Sequence, residues 1–278
     1  MNISEHTDNF IQEMKRRNYS QNTIDNYTSC IKHFFEQSKK DHPKNINETD
    51  IKTFLMNFKE VNTQRNYHSA IKKFYDICLG QKNKFRYIPY AKKNNKLPIV
   101  LSVEEVQKMF SVCENLKHKV ILSLLYSCGL RVSELINLKW EDIDRSRMVI
   151  NIIQAKGNKD RQVMLTPELI PLLEKYRHQY KTKEYVLNGQ NPEKQLKYSD
   201  RSVLEVIKQL SSKAGINKRV YTHLMRHCSF THMVENGTDI NLIQKLAGHS
   251  NVKTTAIYTH ISHNLISKIK SPLSNIRL

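Results

Sequence analysis

Apolar residues recur at helical spacing through the first eighty positions of the chain. Ile24, Tyr27, Ile31, Phe34 and Phe35 form a stripe that follows Ser20, a residue suited to cap a helix. Ile51, Phe54, Leu55 and Phe58 form another after the cap candidate Thr49, and Tyr67, Ile71, Phe74, Tyr75 and Cys78 a last one. This pattern predicts four amphipathic helices with short polar joints over residues 1–80, and no strand. Aromatics at that spacing read as core packing rather than as platforms for stacked bases. The polar faces carry Lys15, Arg16, Arg17, Arg65, Lys72 and Lys73.

The pattern breaks next. Between Lys82 and Lys96 lie six basic residues, Lys82, Lys84, Arg86, Lys92, Lys93 and Lys96, and no acidic one, while Pro89 and Pro98 oppose a continuous helix. A second domain starts near Ser102, which forms a capping-box pattern with Glu105. Val120, Ile121, Leu124 and Leu125 predict a buried helix that stops at Gly129. Met148 to Gln154 and Arg161 to Leu165 alternate or run apolar around a polar turn from Lys156 to Asp160, the pattern of a β-hairpin, and helices dominate afterwards. The expected fold is mainly α with a small β-sheet. Its parts are a helical domain over residues 1–82, a basic linker over 83–99 and a larger domain over 100–278.

Composition narrows the partner. The chain has 278 residues, 39% of them hydrophobic, enough for a core in each of two modest domains. It carries 45 Lys and Arg against 26 Asp and Glu, a formal charge of +19 spread over both halves, which points to a polyanion. The five cysteines, Cys30, Cys78, Cys113, Cys128 and Cys228, are odd in number and widely spaced, as reduced thiols of a cytoplasmic protein are. His223 and His227 are four apart and could reach one metal ion, but the glutamate of an HExxH motif is missing and no third ligand is evident. The start of the chain is polar, and no apolar run approaches the ~18 residues that span a bilayer, so neither a signal peptide nor a membrane partner is expected.

Chemistry concentrates between His223 and Tyr258. A phenol, with an ordinary pKa of about 10, attacks phosphorus only where cations stabilise the developing charge. Here His223 and Arg226 share a helix face, and His249 precedes Tyr258 by nine residues. Upstream, YSCGLRVSELINLKW supplies Arg131 after Gly129, and QAKGNKDRQVML supplies Lys156 in the hairpin turn. In this order and these contexts, Arg131, Lys156, His223, Arg226, His249 and Tyr258 closely resemble the motif set of the tyrosine recombinase (phage integrase) family, in its Xer or integrase type. Three departures stand near the site: Met225, Cys228 and Ala247 replace residues more usual in the family. None removes a chemical group, although Cys228 would be oxidation-sensitive if the neighbouring cations stabilised its thiolate.

The resemblance implies a helical, SAM-like core-binding domain and an α-rich catalytic domain that form a clamp on double-stranded DNA core sites. Lys82, Lys84, Arg86, Lys92, Lys93 and Lys96 would serve as a strap along phosphates. It implies attack by Tyr258 to give a 3′-phosphotyrosyl intermediate, with Arg131 and Arg226 bracketing the nonbridging oxygens and His249 donating to the phosphate. By the same resemblance Lys156 is the general acid and His223 accepts the tyrosine proton. No ATP, metal ion or other cofactor is expected. Glu134, one turn after Arg131, is expected to orient a basic residue nearby. The family also implies a homo-tetramer on two duplexes, formed from protomers that are monomers when free. The stripe Ile261, Leu265, Ile266 and Ile269 would then be a docking helix, in cis or in trans. The expected activity is site-specific recombination in DNA integration, inversion or resolution. Competing readings are a type IB topoisomerase and a DNA-binding regulator without catalysis.

A charge of +19 predicts that DNA affinity falls steeply as salt rises, because each neutralised phosphate releases counterions. Binding isotherms between about 50 and 200 mM salt should lose on the order of 10³-fold or more if six or more phosphates are contacted. A flat profile would remove the electrostatic basis of this reading.

Overall fold

In the computed structural model, which describes residues 3–92, 99–153, 160–189, 197–249, 255, 256 and 258, the early apolar stripes fold as the helices α1 (Ile3–Arg16), α2 (Gln21–Ser38), α3 (Glu48–Met56) and α4 (Val61–Leu79). Ser20 caps α2 by accepting the Thr23 N–H at 3.3 Å. The start of α3 differs from expectation. Asn47, not Thr49, is its cap, because the Asn47 side chain accepts the Asp50 N–H while Asp50 accepts the Asn47 N–H, both at 2.9 Å. Two end donors satisfied reciprocally outweigh the single bond that Thr49 could offer.

The stripes meet in one core. Phe10, Ile31, Phe34, Ile51, Phe74 and Tyr75 are fully buried, and Phe34 meets Phe54 edge-on at 4.9 Å while Phe35 meets Phe74 at 5.1 Å. The aromatics therefore fill the interior, as their spacing indicated. Phe85 and Ile88 extend this core from the basic segment, the Ile88 carbonyl contacts His68 Nε2 at 2.7 Å, and Arg65 donates to the Ala91 carbonyl at 2.7 Å. Residues 85–91 thus lie against α4. By contacts the chain divides into two compact units, Met1–Asn95 and Lys96–Leu278.

The second unit begins with α5 (Val103–Ser111), where Ser102 and Glu105 make the expected reciprocal cap. Its central helix α6 (Leu116–Ser127) buries Val120, Ile121, Leu124 and Leu125 completely. At Gly129 the backbone turns left-handed, φ +58°, and an added Cβ would stand 2.6 Å from Phe230, so glycine is required on both counts. After α7 (Val132–Asn137) comes an antiparallel sheet of order β1-β2-β3, with β1 (Ile143–Asp144), β2 (Val149–Ile152) and β3 (Arg161–Met164). The hairpin was expected; β1 was not, since two residues show no alternation. Register pairs Ile150 with Val163 and Ile152 with Arg161, which puts Arg161 and Val163 on the buried face. The turn that holds Lys156 lies outside the described residues.

Four further helices follow among the described residues: α8 (Leu169–Tyr180), α9 (Asp200–Lys213), α10 (Thr222–Glu235) and α11 (Ile240–Ala247). Helix α10 runs through the interior and buries residues on most of its faces, including Leu224, Arg226, Cys228 and Phe230, which is why its sequence shows little amphipathic contrast. Asp239 caps α11 by accepting the Asn241 N–H at 2.8 Å. No helix among the described residues is long and apolar enough to cross a membrane. The stripe from Ile261 to Ile269 lies outside the described residues.

Phe74 stands at the centre of the first core, so Phe74→Ala should cost about 3–5 kcal/mol through lost burial and the cavity left behind. Urea unfolding followed by circular dichroism measures it. A loss below about 1 kcal/mol would mean that this core is not packed as described.

Candidate active site

The site is built around a carboxylate. Arg131 occupies the cap position of α7, and Glu134, three residues on, accepts both its backbone N–H at 2.7 Å and its Nη1 at 2.6 Å. From β3, Arg161 donates Nη2 to the same carboxylate at 2.7 Å and Nε at 3.4 Å, and Arg226 Nη1 lies 4.0 Å away. The Glu134 side chain is only 5% exposed. Burial alone would raise its pKa, but hydrogen bonding and charge from Arg161, then Arg131, outweigh that and hold the carboxyl below its ordinary range. Glu134 thus orients Arg131 and Arg161 together, two residues where one was expected.

The other anchor is the C-terminal end of α11. Arg131 donates to the Ala247 carbonyl at 3.2 Å, Arg226 donates to the same carbonyl and to that of Gly129, and Arg161 donates to the Leu246 carbonyl. Unpaired carbonyls and the negative end of the helix dipole make this a receptor for cations. Gly248 closes the helix at φ +61°, and a Cβ there would meet Arg161 Cδ at 2.8 Å. Three guanidiniums face one carboxylate, so the cluster keeps a net positive charge suited to an anion. Burial, with repulsion from Arg131 and Arg161, brings the pKa of Arg226 down to about 9, which leaves it charged at neutral pH.

Tyr258 lies next to this cluster and is 2% exposed. Its ring stacks nearly parallel to His249 at 6.1 Å and contacts His227 at 5.8 Å and Phe230 at 5.5 Å. Burial raises the phenol pKa, while the charges of Arg226 and Arg131 and a hydrogen bond from Arg226 oppose the rise. His249 Nδ1 is 3.0 Å from the Thr255 hydroxyl, and burial, with Arg226 and Arg131 nearby, pushes its pKa down to about 4. Burial and the neighbouring His223 and Arg226 do the same to His227. His223 is exposed in the first turn of α10, its ring edge-on to His227 at 4.9 Å.

Five of the six residues singled out in the sequence, Arg131, His223, Arg226, His249 and Tyr258, are thus described, and they gather at the junction of α7, α10 and α11. Lys156 lies outside the described residues. Arg161 and His227 were not picked as site residues. Arg161 had a signal, an arginine in phase with Val163 and Leu165 on an apolar face, and His227 had another, one helical turn from His223. The expectation for Cys228 is overturned. Its thiol points away to the Leu101 N–H at 3.3 Å, and burial raises its pKa to about 11, so it carries no stabilised thiolate. Among the described residues no group of three or more His, Cys, Asp or Glu could hold a metal ion.

On the first unit, Lys15, Arg16, Arg17, Lys72, Arg86 and Lys92 are exposed, while Arg65 and Lys73 are partly covered. Arg16 and Arg17 pair with Glu13 at 2.9 and 3.5 Å, and Arg65 lies 4.9 Å over the Tyr90 ring. Lys84 lies 4.3 Å over Tyr75, its pKa lowered by burial. The side chains of Lys82, Lys93 and Lys96 lie outside the described set.

Comparison with known proteins identifies the family and the fold. Residues 100–264 match the Phage integrase family, and residues 7–84 match the Phage integrase N-terminal SAM-like domain. A putative integrase/recombinase of Sinorhizobium fredii, y4qK, is 34% identical over 94% of this chain and 86% of its own length. Tyrosine recombinase XerA of Pyrococcus horikoshii is 34% identical over 87% of this chain and 84% of its own. The crystal structure of a lambda integrase tetramer bound to a Holliday junction shares the fold, with a TM-score of 0.77 at 17% identity, covering 93% of this chain and 77% of that one.

The two depressed histidines set a pH dependence. Folded, His227 and His249 take up a proton only near pH 4, whereas unfolded they do so near 6.5, so between those values the unfolded chain binds more protons and stability falls as pH drops. Glu134 adds a loss at lower pH, below its unfolded value near 4.3. His227→Gln should therefore show a shallower fall in unfolding midpoint from about pH 6.5 to 4 than the wild type. Parallel profiles would show that His227 is not held neutral.

Proposed function

The chain belongs to the phage integrase family, and from that premise we propose how its residues divide the work of cutting and rejoining DNA. It is a site-specific tyrosine recombinase. Tyr258 Oη attacks a backbone phosphorus as the P–O5′ bond breaks, which leaves a 3′-phosphotyrosyl link and a free 5′ hydroxyl. The phenol gives up one proton and the leaving oxygen gains one. The phosphoester energy is kept, so the 5′ hydroxyl of a partner strand reverses the step on a new duplex.

The observation that carries the assignment of roles is the convergence of Arg131 and Arg226 on the Ala247 carbonyl beside Tyr258. Two forked cations already aimed at one oxygen acceptor suit the nonbridging oxygens of a phosphate, where paired donors count for more than a point charge. A neutral His249 that accepts the Thr255 hydroxyl at Nδ1 carries its own proton on Nε2 and can donate it to phosphate. His223 takes the phenol proton and Lys156 protonates the leaving oxygen, roles that rest on the family resemblance. Tyr258 is buried, so attack requires it to leave its packing with His249 and Phe230.

DNA is the partner. Residues 1–82 serve as the core-binding domain, 83–99 as a strap along phosphates and 100–278 as the catalytic domain. By likeness to the lambda integrase tetramer on a Holliday junction, four copies act on two duplexes, with the stripe from Ile261 to Ile269 as the docking segment. The expected place of action is the cytoplasm.

Nicked duplexes taken from the gene's genomic neighbourhood test the assignment, since loss of a short 5′ fragment traps the covalent step. Tyr258→Phe should bind DNA and form no denaturant-resistant adduct, and Arg226→Lys should slow adduct formation by about 10²–10³-fold. Adducts formed by Tyr258→Phe would exclude it as the nucleophile.

A further inference from the structure

The roles above use two guanidiniums, yet a third is buried beside them. Arg161 opens β3 opposite Ile152, and its side chain is 5% exposed. A buried arginine persists where its donors are matched, and here they are matched by groups of the site. Nη2 and Nε reach the Glu134 carboxylate at 2.7 and 3.4 Å, Nη1 donates to the Leu246 carbonyl, and Cδ occupies the space that a Cβ on Gly248 would take. Glu134 is the carboxylate that holds Arg131 at 2.6 Å, and the end of α11 is where Arg131 and Arg226 also bond. One side chain therefore ties the sheet to both supports of the phosphate-facing arginines.

We propose that Arg161 is a positioning residue for strand cleavage: through Glu134 and the Leu246 carbonyl it fixes the aim of Arg131 and the turn at Gly248 that presents His249. The proposal rests on the recombinase reading of the site. Without Arg161 the Glu134 carboxylate is free to swing toward Arg226, 4.0 Å away, and Arg131 follows it. A lysine at this position keeps the charge but lacks the fork, so it cannot hold the carboxylate and the Leu246 carbonyl together.

Arg161→Lys and Arg161→Met, compared with wild type on nicked duplex, separate positioning from general structure. Single-turnover cleavage at saturating DNA should fall by about 10–100-fold, the usual effect of losing an outer hydrogen-bonding partner, while Kd and the circular dichroism spectrum stay close to wild type. Arg161→Lys combined with Glu134→Gln should be no slower than the slower single variant, because the two residues act as a unit. Cleavage within twofold of wild type, rate and affinity falling together, additive defects, or an unfolded Arg161→Lys protein would each overturn the proposal. If the wild type itself forms no adduct, the recombinase reading fails independently of Arg161.

Discussion

Glu134 must sit in the interior of the second unit because three cations from three elements need an anion within reach. Arg131 comes from the start of α7, Arg161 from β3 and Arg226 from the middle of α10, and the carboxylate lies 2.6, 2.7 and 4.0 Å from them. Removing the carboxylate from such a cluster leaves uncompensated buried charge, typically a loss of about 3–5 kcal/mol. The carbonyl end of α11 completes the balance, so α7, β3, α10 and α11 are fixed against one another by hydrogen bonds and charge as well as by apolar contact. Even so, the cluster remains net positive. That residual charge suits the phosphate of the proposed reaction.

Tyr258 lies at the edge of this field in a covered position. Burial holds Tyr258 in its neutral form, while Arg226 and Arg131 favour the phenolate. These opposed effects leave a phenol whose neutral form burial favours and whose charge would be stabilised by the same guanidiniums proposed to receive the phosphate. The depressed pKa values of His249 and His227 follow from the same field, since neighbouring cations and burial both resist a further positive charge.

Much of the fold could be read from the sequence where one periodicity governed a segment. The stripes from Ile24 to Phe35 and from Ile51 to Phe58 gave their helices, and the Ser102–Glu105 cap falls where expected. Failures came where a local signal was short or a long-range contact prevailed. Strand β1 is too brief to alternate, and Asn47 displaced Thr49 through a reciprocal bond that side-chain preference alone does not reveal. The chemistry was legible as ordered motifs, but Arg161 was read as strand because nothing local marks the Glu134 to which it bonds, 27 residues earlier. Cys228 misled for a related reason, since closeness to Arg226 along the helix does not place its thiol on the same side.

In the proposed reaction Tyr258, held in the field of Arg131 and Arg226, becomes joined to DNA. Mass spectrometry of adducts trapped on nicked duplex, digested with nuclease and protease, tests it most directly. The expected product is a nucleotide-bearing peptide modified at Tyr258. A nucleotide on another residue would contradict it.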